Sequence, residues 1–313
     1  MANAEKLNID SENPKYSTNW CDIPMEMRSE CIKWMDVQTR MQLRQTSKTE
    51  KSLVASAKNY QLACLRVYAF SGYLCVFIGK DYGEEAFSPN LKNFMRRVVT
   101  VLEHCEISFF RVKTDKEQEN AMWTIWALRN RNVRFRFKTI RASFHGDDLL
   151  LKFFCGNCDG LENVCLDKEN GYLTKNLFNT PSVINANLFQ LNIFRKAKAD
   201  RSIFKLVEKW IENDSEIGKK MNLKLGTWIG DSGDEPTVLF ESIFKDRVIS
   251  KDEEHVRIRT DTNTKHILLK NKIVDNAIFC AITIVSSAAL EHLNNDNAFD
   301  NQNFLDSDNE EDF

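Results

Sequence analysis

Through its middle the chain repeats one pattern, a short β-rich run followed by a stretch with helical spacing. The strand candidates are CEISFFRV from Cys105, NVRFRFK from Asn132, LENVCL from Leu161, NLFQLN from Asn187 and MNLKLGTW from Met221, roughly 25 to 35 residues apart. Helical candidates accompany them at 91–104, 116–130, 147–154, 173–178 and 202–213. Antiparallel neighbours need only a tight turn, whereas parallel ones need a crossover of a dozen residues or more. The pattern therefore predicts an α/β domain with a partly parallel sheet, an irregular α+β domain being the alternative.

Both ends of this region read differently. LACLRVYAF and YLCVFIG flank Ser71-Gly72 and predict a hairpin. HVRIRT from His255, KHILLKN from Lys265 and AIFCAITIV from Ala277 predict a closing antiparallel set, joined at 261–263 and near 275–276. GDSGD at 230–234 is a loop by composition. Residues 1–19 read as a polar, disordered lead, with no basic region followed by an apolar run, so no secretory signal is expected. Residues 294–313 hold seven acidic side chains and no Lys or Arg, the composition of a disordered acidic tail.

Composition narrows the function classes. Of 313 residues, 42% are apolar and 28% charged, enough to bury a large core. A formal net charge of −2 supplies no global attraction to nucleic acid or to an anionic membrane. The longest nearly apolar segment, 277–290, is too short to span a bilayer and reads as a buried strand. Nine cysteines, odd in number and mostly set in apolar runs, point to reduced thiols in the cytosol or nucleus.

Ahead of the repeating region, residues 20–57 predict three short helices. Pro24 suits the first turn of a helix, with Asp22 and Glu26 placing negative charge at its start. Met27, Cys31 and Met35 recur every four residues, and Ile32 and Trp34 widen the apolar side. Val37, Met41 and Leu43 belong to a second helix. Ser47-Lys48-Thr49-Glu50 then matches a capping box, which predicts reciprocal bonds between the Ser47 and Glu50 side chains and the backbone as a third helix begins. A unit this small buries little, so surplus apolar surface on its first helix calls for a neighbour.

The residues themselves resemble an F-box, in particular the divergent type of the large nematode expansion. The resemblance rests on D-I-P-x-E-M at 22–27, Cys31-Ile32, Met35, Leu43-Arg44, Ser47-Lys48 and Leu53-Val54; it departs from the common pattern with Ile23 before the proline and with Cys31 in place of a bulkier aliphatic. It implies an F-box at 20–58 that docks the Skp adaptor of a cullin-RING ubiquitin ligase through Ile23, Pro24, Glu26, Met27, Cys31, Ile32, Met35 and Leu43. FRKAKADRSIFKLVEKWIENDSEIGKKMNLKL, from Phe194 to Leu225, resembles nematode F-box-associated domains. That second resemblance implies a substrate-binding domain over 59–293. The strand and helix period is also similar to a leucine-rich-repeat-like solenoid, although the leucines and asparagine ladder of ordinary leucine-rich repeats are absent.

Three further clusters stand out. Arg129, Arg131, Arg134, Arg136, Lys138 and Arg141 form a basic run in which Val133, Phe135 and Phe137 alternate with charge, predicting a strand with one buried and one cationic face. Arg134, Arg136 and Lys138 are the candidate contacts for an acidic or phosphorylated target protein, with RNA binding through 129–141 as the alternative. His145, Cys155, Cys158 and Cys165 supply enough soft ligands for a zinc-containing domain, a second alternative, but at no standard finger spacing; a turn at Gly156-Asn157 with packed thiols is the plainer reading, and no metal or other cofactor is expected. No phosphate-binding loop, nucleophile elbow or H-E-x-x-H occurs, which agrees with a binding protein and no catalytic residue.

Overall fold

The computed structural model describes residues 19–57, 60–70, 73–78, 98–99, 101–102, 104–115, 134–143, 149–168, 177–193, 201–226, 236–274 and 277–288. The lead, the helical candidate at 116–130, His145, the loop at 230–234 and the acidic tail lie outside them, as does most of the candidate at 91–104. The chain forms two units, 1–60 and 61–313.

In the first unit, the Asn19 side chain accepts from the Cys21 amide and starts a single 3-10 turn, Trp20–Asp22. Three helices follow: α1 (Met25–Trp34), α2 (Val37–Thr46) and α3 (Lys48–Ser56). Pro24 stands just before α1 as its cap. Asp36 caps α2 by accepting from Thr39 N at 2.7 Å. Ser47 caps α3 by accepting from Glu50 N at 3.1 Å, which is one half of the expected box. The other half is replaced, because the Glu50 carboxylate turns to Arg28 on α1. Ile32, Leu53 and Val54 make the buried core of this unit, with Trp20, Met35, Leu43 and Ala57 packed against it.

The second unit is built on one mixed sheet of eleven strands in the order β2-β1-β3-β4-β5-β6-β7-β11-β10-β9-β8. Its first strands are β1 (Tyr60–Phe70), β2 (Tyr73–Ile78), β3 (Cys105–Thr114), β4 (Phe137–Ser143), β5 (Asn163–Lys168), β6 (Leu188–Ile193) and β7 (Lys220–Leu225). Then come β8 (Val248–Lys251), β9 (His255–Arg259), β10 (Lys265–Val274) and β11 (Ala277–Ser286). Strands β3 to β7 are parallel and lie beside their chain neighbours, as stacked strand–helix units require. The hairpin of β1 and β2 pairs Phe70 with Tyr73, as the Ser71-Gly72 turn predicts. From β7 onward the pairing is antiparallel.

Among its described residues this unit includes the helices α4 (Leu149–Gly156), α5 (Pro181–Asn185), α6 (Lys205–Glu212) and α7 (Pro236–Ile243), and residues 98–99, 101–102 and 104 are helical as well. Among the described residues, two ring contacts join helix and turn to the apolar face of the sheet. Phe154 of α4 packs on Phe110 of β3, and Phe178, in the turn before α5, packs on Phe189 of β6. One cross-strand row from β4 to β10 reads Ile140, Val164, Phe189, Met221, Ile282, Leu269, all buried. The row one residue along points to the other face and reads Arg141, Cys165, Gln190, Asn222, Ala281, Lys270. Trp210 of α6 is buried and donates its indole N–H to Ile184 O at 3.3 Å. After α6 the chain reverses through Asp214 and Gly218, both at positive φ, 45° and 96°. Lys265 holds that reversal by donating to the Asp214 carbonyl at 2.9 Å and the Ser215 carbonyl at 3.1 Å.

The basic run departs from its expectation in one respect. Phe135 forms only an isolated bridge to Cys158, and the strand proper begins at Phe137. Buried positions then change parity, from Phe135 and Phe137 to Ile140 and Ala142, and β3 shifts in the same way between Ile107 and Phe110. Over the described part of the run, 134–141, plain alternation therefore fails after Lys138, while Arg129, Arg131 and Val133 lie outside the described residues.

Candidate functional site

Helix α1 carries apolar side chains on two sides. Its inner side is satisfied by Ile32, fully buried among Leu53 and Val54. On the outer side Pro24, Met27, Cys31 and Trp34 follow one another at steps of three, four and three residues, so they share one helix flank. All four are exposed, Met27 at 59% and Trp34 at 88%. Exposed Glu26 and a Glu30–Lys33 ion pair mark the polar remainder of the helix.

Two polar contacts hold this stripe in place. Arg28, one residue past Met27, donates to Glu50 of α3 at 2.8 Å. Arg40 of α2 donates to the carbonyls of Lys33 at 2.9 Å and Met35 at 3.1 Å, placing a cation at the C-terminal end of α1 where the helix dipole favours it.

The eight residues expected to meet an adaptor are thus sorted by depth. Pro24, Glu26, Met27 and Cys31 are exposed and Ile23 is half-buried. Met35 and Leu43 are half-buried against the core. Ile32 is wholly inside, so its place is in the module's own packing. Trp34 is exposed beyond any of these and was read from the sequence only as a widening of the apolar side.

Arg134, Arg136 and Lys138 are all exposed, as the alternation predicts. Two of them already face acids: Arg134 is 3.6 Å from Asp159 and Lys138 is 3.4 Å from Glu162. Exposed pairs of this kind contribute little and are screened by salt. Arg141, grouped with this cationic run, is instead sunk into the sheet and donates to Asp167 at 2.8 Å. Phe135 and Phe137 are buried and pack with Phe110, Phe153 and Phe154. Neither ring is available to stack on a base.

Cys155 and Cys158 are packed thiols. Burial pushes both up, Cys158 to about 12, and the Cys158 thiol donates to Phe137 O at 3.3 Å. Cys165 lies in β5 beside Asn192 and is also pushed up to about 12, chiefly by burial. Thiolate is the metal-binding form, and this environment opposes it. Among the described residues no three His, Cys, Asp or Glu side chains are gathered to hold a metal ion.

Residues 20–62 match the model of the F-box domain. No curated protein matches the chain. The chain thus carries an F-box domain that ends at the start of β1, and no family is assigned to the larger unit. An F-box suggests an SCF substrate-adaptor role and implies binding to the Skp adaptor; proteins that carry one are generally non-catalytic. Among the described residues no helix is long and apolar enough to cross a membrane.

Proposed function

We propose that this chain is the substrate receptor of an SCF-type ubiquitin ligase, with the F-box docked on the Skp adaptor and the larger unit holding a target protein. The observation that carries this reading is the exposed stripe of Pro24, Met27, Cys31 and Trp34 on a helix whose inner side is already buried. Covering a Met or Trp side chain contributes roughly 2 kcal/mol each, and a central aromatic anchor is the usual hot spot of an interface. Ile23 and Pro24 form the corner that leads into the stripe. The larger unit is compact with its own buried core, as a module that holds a target requires.

Ubiquitin transfer then takes place on other subunits. This chain contributes proximity, raising the effective concentration of target lysines beside the charged E2. Its work is in the cytosol or nucleus, in agreement with nine free thiols. Co-expression with the Skp adaptor tests the reading. Ile23→Asp with Pro24→Ala abolishes co-purification while the larger unit stays folded; unchanged co-purification overturns it.

A further inference from the structure

Resting on the substrate-receptor reading, we infer that Arg40 is a positioning residue of the adaptor contact, one that holds exposed Trp34 where an adaptor meets it. Trp34 has no polar or ring contact of its own. It is the last residue of α1, 88% exposed, and no hydrogen bond or ring contact among the described residues involves its indole. Helix ends fray, so a side chain in that place is ordered only as well as the backbone beneath it. The next residue, Met35, has already left the helix, at φ −72° and ψ 142°. Its amide donates to Ile32 O at 3.2 Å and closes the last turn, while the Lys33 and Met35 carbonyls lie beyond the helical ladder.

Arg40 supplies the bonds that the ladder does not. From the first turn of α2 its guanidinium donates through Nη2 to the Lys33 carbonyl at 2.9 Å and through Nε to the Met35 carbonyl at 3.1 Å, one on each side of Trp34. Its own backbone is set by α2, where the Arg40 amide donates to Asp36 O at 3.0 Å and Asp36 caps the helix at Thr39. Only Met35 and Asp36 separate α1 from α2, so these bonds span the whole elbow.

The chemistry of the side chain matters here. A guanidinium is a planar, rigid fork that serves two acceptors at once, whereas an ammonium is a point charge on a flexible stem. Lysine in this place keeps the positive charge at the C-terminal end of α1 and loses the span across Trp34. With its backbone fixed on both sides, Trp34 retains two side-chain torsions, and a rigid aromatic loses little freedom when a partner covers it. Arg40 is itself 6% exposed, too deep to add contact area, so it acts through Trp34.

The test is a double-mutant cycle on the full chain, read by calorimetric titration with the Skp adaptor. Arg40→Met weakens binding about tenfold, and Arg40→Lys, which keeps the charge, weakens it nearly as much. In a Trp34→Ala background the Arg40→Met change alters affinity by less than about twofold, because the residue it positions is gone. Residue-resolved amide hydrogen exchange is a second readout that needs no adaptor. In Arg40→Met the Met35 amide exchanges at least about tenfold faster, and the Ala57 amide, bonded to Leu53 O at the end of α3, keeps its rate. Equal weakening in both backgrounds, full affinity in Arg40→Met, or Met35 and Ala57 amides that speed up together overturns the inference, since a general loosening of the module is not a hold on Trp34. Absence of adaptor binding by the unaltered chain contradicts the receptor reading, and the two amides still decide whether Arg40 fixes the backbone around Trp34.

Discussion

Arg28 on α1 and Glu50 on α3 meet at 2.8 Å with side chains only 13% and 6% exposed. The pair is made through one guanidinium nitrogen, and Arg28 Nε and Glu50 Oε2 have no partner among the described residues. It joins the first and third helices, with Arg28 next in the chain to Met27 of the exposed stripe. Removing one member leaves the other charge buried and alone, which costs roughly 3 kcal/mol, whereas replacing both with apolar side chains avoids that cost. Glu50→Ala therefore speeds amide hydrogen exchange across 25–56, and Arg28→Met with Glu50→Leu restores most of the protection. Equal exchange in Glu50→Ala and the unaltered chain contradicts a structural role for the pair.

Cys31 provides a footprint of the adaptor surface. Cys21 and Cys31 are the exposed thiols, and the other seven are buried. N-ethylmaleimide therefore labels these two first in the native chain, and mass spectrometry resolves them by peptide. Saturating Skp adaptor protects Cys31. An unchanged labelling rate places the adaptor elsewhere.

Much of this was legible in the sequence where local pattern and tertiary role agree. Ser71-Gly72 between two β-rich runs gave the first hairpin, and apolar spacing gave β3, β5, β6 and β7 close to their observed bounds. Pattern failed where a neighbour decides. The alternation of Phe135 and Phe137 with Arg134, Arg136 and Lys138 marks a two-faced segment, but pairing with β3 sets where the ladder begins and where parity slips. Helix α7 opens on Pro236, a start signal overshadowed by the adjacent Gly-rich loop, and β8 is too short and exposed to show a period. Which apolar side of α1 faces inward depends on Leu53 and Val54, twenty residues away, so Ile32 and Trp34 could not be told apart.

The cysteines at 155 and 158 carry a prediction about metal. Their thiols are raised by burial and Cys158 donates its proton to a carbonyl, so they contribute as packed, protonated groups. Treatment with EDTA leaves the thermal unfolding temperature unchanged, and purified protein contains no stoichiometric zinc. A fall in unfolding temperature that zinc reverses identifies a metal-held domain instead.

His266 makes the second unit sensitive to acid. Its Nδ1 accepts from Arg257 Nε at 3.1 Å, and burial, then the Arg257 guanidinium, hold its pKa below the ordinary 6.5. The unfolded chain takes up a proton near 6.5 that the folded chain refuses until lower pH. This contribution to stability is therefore complete above about 6.5 and is lost as pH falls through the folded value. His266→Gln, which keeps an acceptor and cannot titrate, shows a shallower fall in unfolding temperature between about pH 7 and 5. Parallel slopes for the two proteins contradict this.

Calorimetric titration of the full chain with the Skp adaptor tests the central claim most directly. The stripe on α1 predicts saturable binding at one adaptor per chain, weakened at least about thirtyfold by Met27→Glu with Trp34→Glu, the loss expected on removing an interface anchor. Both changes lie on exposed positions and leave the core of Ile32, Leu53 and Val54 intact. Adaptor binding of undiminished affinity in that variant, or no binding by the unaltered chain, contradicts the account.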